Sequence, residues 1–192
     1  MSFTKYEYPY YKCDICELLF TPNIREQDII TENDDSIQRN NEKDNNTRID
    51  RILSFGLPNT KTILDFGCGA GLFLKTIQNK GLTAIGIDKN TELNLTAIGD
   101  NTVDAISIVE VVEYLFTPFE YFKEFSRILK PKGIMYIETC PSNTLDPETG
   151  FYCDPRFGHC TIYSKKSFEY ISTFFNLIYF ELNSTVFVFK KN

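Results

Sequence analysis

"ILDFGCGAGLFL", Ile63 to Leu74, sets three glycines within five residues directly behind an apolar run that carries Asp65. The apolar run reads as a short buried strand, and the bare backbone after it lets a ligand come close to the main chain. A helix opening behind such a loop adds free N–H groups and a positive dipole end, so something anionic or nucleoside-like is expected there. Gly67, Gly69 and Gly71 are spaced G-x-G-x-G, and Leu72 stands where the dinucleotide fingerprint wants its third glycine. No Gly-Lys-Ser/Thr follows, which excludes a Walker loop. Asp88 closes the next apolar run, about 20 residues beyond the glycines, where a carboxylate can take both hydroxyls of a ribose. The pattern favours a nucleoside cofactor.

Working outward, "AGLFLKTIQNKG" reads as a helix, "LTAIGID" and "VDAISIVEVV" as buried strands, "PFEYFKEFSRILKPKG" as an amphipathic helix ending in a Pro-Gly turn, and "IMYIET" as a further strand. This alternation predicts an α/β fold, a doubly wound, mostly parallel Rossmann-like sheet with helices on both faces. Ser164 is placed to cap a helix running to about Thr173, and "NLIYFEL", a turn at Asn183-Ser184 and "TVFVFK" predict a closing antiparallel hairpin. Upstream, Ile49, Ile52 and Leu53 share a helical face from about Asn45 or Asn46, with Gly56 as a stop. The main domain is expected over residues 45–192. Residues 27–44 read as a solvated polar linker, since "TENDDSIQRNNEKDNNT" holds one apolar residue, Ile37. Residues 1–26 form an aromatic Cys-x-x-Cys hairpin.

Composition narrows the function classes. At 192 residues the chain has room for one main domain with a small appendage. A net charge of −6, with no Lys/Arg cluster beyond Lys165-Lys166 and Lys190-Lys191, argues against nucleic acid as a partner. No apolar run approaches the roughly 20 residues of a membrane helix. The first residues lack the pattern of a secretory signal, so a cytoplasmic location is expected, with the six cysteines as free thiols or metal ligands.

"ILDFGCGAGLFL" with "GIDKN", then "DAISIVEVVEYL", then "SRILKPKGIMYIE", resembles the class I, Rossmann-like S-adenosylmethionine-dependent methyltransferases, above all the ubiquinone-type and polysaccharide-cluster small-molecule enzymes. The resemblance covers about residues 48–190. It implies that Asp65, Gly67, Cys68, Gly69 and Gly71 border the methionine and ribose of S-adenosyl-L-methionine, that Asp88 holds the ribose hydroxyls, and that Glu110 and Val111 line the cofactor side. "DPRFGHCTIYSKKSF" is similar to the family's acceptor-side segment, which implies a small-molecule substrate, a sugar or similar metabolite. His159, the only histidine, becomes the candidate base for a hydroxyl acceptor, against the alternative of a structural or orienting histidine. Arg156 and Tyr114 become candidate substrate contacts. Tyr114 stands where relatives carry the histidine of a Glu-His pair, and that departure reads Glu113 and Tyr114 as loop packing rather than catalytic groups.

Between Asp88 and Asp104 only "KNTELNLTAIGDNTV" remains, about half of what a helix, a third strand and a loop require. "LTAIGD" is read as a stub of that strand, with Asp100 near the adenine. The shortening motivates a second reading, a degenerate member of the fold acting as a non-catalytic partner subunit. Cys13 and Cys16 resemble half of a zinc ribbon. Structural zinc wants four ligands, so a remnant hairpin is the first reading. Zinc completed by Cys153, His159, Cys160 or a second chain, and an interaction module built on it, are the alternatives. Cys68 and Cys140 read as small buried residues.

Overall fold

The computed structural model describes residues 3–29, 42–55, 60–89, 91–142 and 151–192. The expected stop at Gly56 and most of the polar linker lie outside them.

The central sheet follows the alternation of the sequence. Strands β4 (Thr62–Phe66), β5 (Thr83–Ile87), β6 (Val103–Val109) and β7 (Leu129–Glu138) run parallel, and β10 (Val186–Lys191) and β9 (Leu177–Asn183) close the sheet antiparallel in the order β5-β4-β6-β7-β10-β9. Side chains alternate between its two faces. Ile63, Ala105, Ile134 and Val188 pack against α1 (Glu42–Phe55) and α2 (Leu72–Asn79) through Ile49, Ile52, Phe73 and Ile77. Leu64, Ile106, Met135 and Phe187 pack on the other face, against α3 (Pro118–Ile128) and α4 (Lys165–Phe174) through Phe122, Phe125, Phe168 and Ile171. Because β5 and β6 flank β4, strand order reverses there, and in open α/β sheets the ligand crevice lies at such a point, beyond the carboxyl ends of β4 and β6.

Caps set the element ends. Ser164 and Ser167 form a reciprocal capping box that starts α4 where the sequence predicts it. Helix α3 stops at Ile128, three residues before the expected turn at Pro131–Gly133, because Leu129 already pairs with Val103 and Lys191 Nζ takes the carbonyls of Ser126 and Leu129.

The expected third strand is absent among the described residues. Leu95–Ala97 is instead a turn of 3-10 helix capped by Asn94, and Arg127 of α3 donates to the carbonyls of Leu95 and Ile98, at 3.0 and 2.8 Å, which a ladder would have used. Leu95 and Ile98 still enter the core, so the shortened segment packs into the fold without a strand.

The N-terminal hairpin lies against residues 152–162. Strands β1 (Phe3–Lys5), β2 (Tyr8–Lys12) and β3 (Leu19–Phe20) form a small antiparallel sheet with β8 (Thr161–Ile162), in which Leu19 pairs with Ile162 and Phe20 with Thr161. Tyr10, Leu19, Tyr152, Cys153 and Ile162 make its core. The hydroxyls of Ser164 and Ser167 donate to the Cys16 carbonyl at 3.2 and 2.9 Å, which fastens the hairpin to the start of α4.

Candidate active site

The glycine loop lies in the crevice at the end of β4. Gly67 has φ +87°, and a Cβ there would overlap Val111 Cγ2, so a glycine is required for the loop after β6 to touch the loop after β4. Gly71, at φ +77°, begins α2 in the left-handed region and offers no capping side chain to the helix's first amides. Around Gly69 the space is open, since a Cβ there meets nothing within 4 Å. The Gly69 amide donates to Asp88 Oδ2 at 3.1 Å, which ties the carboxylate at the end of β5 to the loop. Thr91 Oγ1 and its amide hold the backbone of Asp88 in turn.

Beneath the loop, burial pushes the Asp65 carboxyl up to about 6, opposed by Ser107 and the Arg48 charge and reinforced by Asp88. Arg48 is a residue the sequence reading missed. It is buried on α1, its guanidinium lies 5.1 Å above the Phe73 ring, and it bonds Asn45 Oδ1 at 2.8 Å and Glu138 Oε1 at 3.3 Å. The signal was its spacing, one turn before Ile52 on the buried face of the helix.

The other end of the crevice is built from side chains. After β6 the chain turns at Glu110, with φ +52° and its amide on the Glu138 carbonyl, and then forms a 3-10 turn over Val112–Tyr114. Glu113 points inward. Its carboxyl accepts the Tyr152 hydroxyl at 2.7 Å and the Thr139 hydroxyl at 3.3 Å, while its carbonyl accepts the Cys160 amide at 2.9 Å. Burial, and after it the charge of Glu110, pushes this carboxyl up to about 8, so at neutral pH it is mostly protonated. Glu113 is thus the hub of a buried network, more than the loop packing expected of it, and Tyr152 and Thr139 had no signal in the sequence. His159 sits beside this network, its Nδ1 2.6 Å from the Tyr152 carbonyl and its Nε2 3.0 Å from the Tyr114 hydroxyl. Tyr10 of the N-terminal hairpin donates to the His159 carbonyl at 2.6 Å.

Arg156 is held by Asp154 through its Nη2 at 2.8 Å, and its guanidinium lies 3.4 Å from the centre of the Tyr6 ring at the hairpin tip. Asp100 is taken by Arg127 at 2.6 Å. All six cysteines are free thiols, with Cys68 and Cys140 half-buried. Among the described residues no group of three or more His, Cys, Asp or Glu side chains could hold a metal ion, so Cys13 and Cys16 stand there without a set of zinc ligands. No described helix is long and apolar enough to cross a membrane.

A glycine loop and an acidic strand end at the switch point of a parallel sheet define a nucleoside-binding α/β fold. A profile of the methyltransferase domain family matches residues 37–177, and the chain belongs to that family. The ubiquinone biosynthesis O-methyltransferase of Caulobacter vibrioides is 30% identical in a 101-position alignment that covers 41% of this chain and 40% of the relative. That of Cereibacter sphaeroides is 29% identical in a 117-position alignment that covers 49% of this chain and 47% of the relative. The chain therefore spans less than half the length of these curated relatives. Among solved structures, a SAM-dependent methyltransferase from Archaeoglobus fulgidus superposes with a TM-score of 0.63 at 17% identity, over 82% of this chain and 97% of that one. A Burkholderia thailandensis 1,6-didemethyltoxoflavin-N1-methyltransferase with bound S-adenosylhomocysteine gives 0.62 at 9% identity, over 95% and 99%. At these identities the likeness speaks to the fold, which is that of the class I S-adenosylmethionine-dependent methyltransferases.

The residues present fit the cofactor of that class. Open space over Gly69, an uncapped helix start at Gly71 and the Asp88 carboxylate against the loop provide room, amide donors and a hydroxyl acceptor in one place.

Proposed function

We propose that the chain transfers a methyl group from S-adenosyl-L-methionine, the cofactor of its family, to a hydroxyl oxygen of a small molecule, a sugar or similar metabolite. The observation that carries this reading is the contact of Val111 with Gly67. It brings the loop bearing Glu113 and Tyr114 directly against the cofactor loop, and so sets an acceptor end beside a donor end. In this assignment Gly67, Cys68, Gly69 and Gly71 border the methionine and ribose with Asp65 beneath them. Asp88 takes the ribose hydroxyls, and Glu110 and Val111 line the cofactor side. A role for Asp100 toward the adenine would require Arg127 to share it.

When bound, the cofactor supplies an electrophilic methyl group on a sulfonium, so the chain's own task is alignment and, for a hydroxyl, removal of a proton. Tyr152 and Tyr114 both pack on the His159 ring, and it is the Tyr114 hydroxyl that bonds an imidazole nitrogen. Arg156 over Tyr6 and the exposed Tyr114 ring offer flat faces of the kind on which a sugar or a phenol can stack. O-methylation agrees with the names of the curated relatives, ubiquinone biosynthesis O-methyltransferases, while the sugar rests on the likeness of residues 154–159 to the family's acceptor segment.

The test is transfer of radiolabelled methyl from S-adenosyl-L-methionine to free sugars, sugar phosphates and simple phenols by the purified chain. Label on a hydroxyl of one acceptor class establishes the reading and chooses between sugar and phenol. Cofactor binding with label on amines only would overturn the oxygen assignment. The shortened segment between β5 and β6 favours one other reading, a non-catalytic partner subunit, and a folded chain that fails to bind the cofactor would speak for it.

A further inference from the structure

His159 does not face the crevice as a free base. Its residue is only 6% exposed, and both ring nitrogens are engaged. A carbonyl oxygen can only accept, so the 2.6 Å contact with the Tyr152 carbonyl places the proton of a neutral ring on Nδ1. Nε2 is then the acceptor, and the Tyr114 hydroxyl 3.0 Å away donates to it. Tyr114 is 45% exposed. Its ring meets the imidazole edge-on at 4.8 Å between centroids, and it passes close over Gly158, where a Cβ would stand 3.1 Å from Tyr114 Cδ1. The Tyr114 amide donates to the Val111 carbonyl at 3.0 Å, so one short turn joins the phenol to the residue that touches the cofactor loop.

We infer that Tyr114 is the group that takes the acceptor's hydroxyl proton, handing its own phenolic proton to Nε2 of the buried His159. The inference rests on the reading of the chain as an O-methyltransferase and deepens it. As the acceptor oxygen forms its bond to the methyl carbon, the carbon–sulfur bond breaks with its electron pair left on sulfur. The acceptor's O–H proton passes to Tyr114 Oη, and the Tyr114 proton passes to His159 Nε2. The positive charge lost from the sulfonium reappears on the imidazolium, whose Nδ1–H stays on the Tyr152 carbonyl. A phenol alone is a poor reservoir for a proton at neutral pH, whereas an imidazole with an ordinary pKa near 6.5 is suited to hold one. Tyr10 on the His159 carbonyl and Glu113 on Tyr152 are positioning residues, since each acts through the backbone or side chain that fixes the ring.

The chain contains one histidine, so a long-range proton–nitrogen NMR spectrum reports this ring without ambiguity. In the cofactor-free protein above the imidazole's titration, the expected spectrum is that of the Nδ1–H tautomer with a hydrogen-bonded Nε2. Tyr114→Phe, which keeps the ring, should move Nε2 toward the value of an unbonded nitrogen and leave Nδ1 in place. With a hydroxyl acceptor, the same variant should lower kcat by about 10²-fold or more at unchanged cofactor affinity. A proton on Nε2 in the wild type, or Tyr114→Phe turning over as fast as the wild type, overturns the relay and leaves the O-methyltransferase reading standing. A wild type that binds the cofactor and methylates only nitrogen overturns both.

Discussion

The two ends of the crevice are made from different materials. At the cofactor end, the loop from Gly67 to Gly71 and Asp88 lie within one β4–α2–β5 unit, and the contacts are made by backbone: a left-handed glycine, an uncapped helix start, an amide on a carboxylate. At the other end, the proposed acceptor side, side chains from four distant stretches meet. Glu113 and Tyr152 are 39 residues apart, Glu113 and Thr139 are 26 apart, and Tyr10 reaches His159 across 149. A backbone site tolerates side-chain change but not a Cβ in the wrong place. A side-chain network tolerates small shifts but not an unpaired buried group.

The sharpest way to break that contrast is at the glycines. Gly67→Ala puts a methyl group into Val111 at a φ that alanine resists, and should cost about 3 kcal/mol or more of stability from overpacking and backbone strain together. Gly69→Ala meets no neighbour, and should cost about 1 kcal/mol from its φ of +48° while still obstructing the cofactor. Thermal unfolding of the two variants side by side checks the order, and equal losses would mean that the loops after β4 and β6 do not pack as described.

Glu113 provides the corresponding test of the acceptor end. Its carboxyl is held at about 8 in the fold against an ordinary value near 4.5, so the folded state binds the proton more tightly than the unfolded chain. The associated stability is complete below about pH 4.5 and is lost as pH rises toward and through 8. Asp65, held at about 6, adds a smaller loss between about pH 4 and 6. Glu113→Gln, which cannot ionise, should flatten the decline between pH 5 and 8 in denaturant titrations. Glu113→Ala leaves Tyr152 and Thr139 only each other as partners, and should cost about 1–3 kcal/mol near pH 5, a cost that shrinks as pH rises toward 8 and the wild-type carboxyl ionises. A wild type and Glu113→Gln with parallel pH profiles would show that this carboxyl does not titrate inside the fold.

The same contrast explains what the sequence made legible. The sheet, its order of elements, the terminal hairpin and the Ser164 cap follow from local periodicity and capping, and the glycine loop from Gly67 to Gly71 is legible as a tight turn between a strand and a helix. The shortened stretch after Asp88 was visible as a length. Its form was not, because a strand stub gave way to a 3-10 turn on account of Arg127, about 30 residues downstream, which claims its carbonyls. Likewise nothing near Glu113 foretells Tyr152, and nothing in the Cys-x-x-Cys hairpin foretells that Tyr10 would support His159. Local chemistry is written locally. Tertiary hydrogen bonds between side chains carry no period and no spacing.

The measurement that bears most directly on this account is calorimetric titration of S-adenosyl-L-methionine into the wild type, Asp88→Ala and Tyr114→Phe. If the cofactor end stands on its own, the wild type and Tyr114→Phe bind alike at micromolar strength. Asp88→Ala then binds about 10- to 100-fold more weakly, as expected for lost hydrogen bonds to a charged group. Asp88→Ala binding as tightly as the wild type, or Tyr114→Phe weakened as much as Asp88→Ala, would contradict an account in which Asp88 and the glycine loop hold the cofactor independently of the side-chain network around Glu113 and His159.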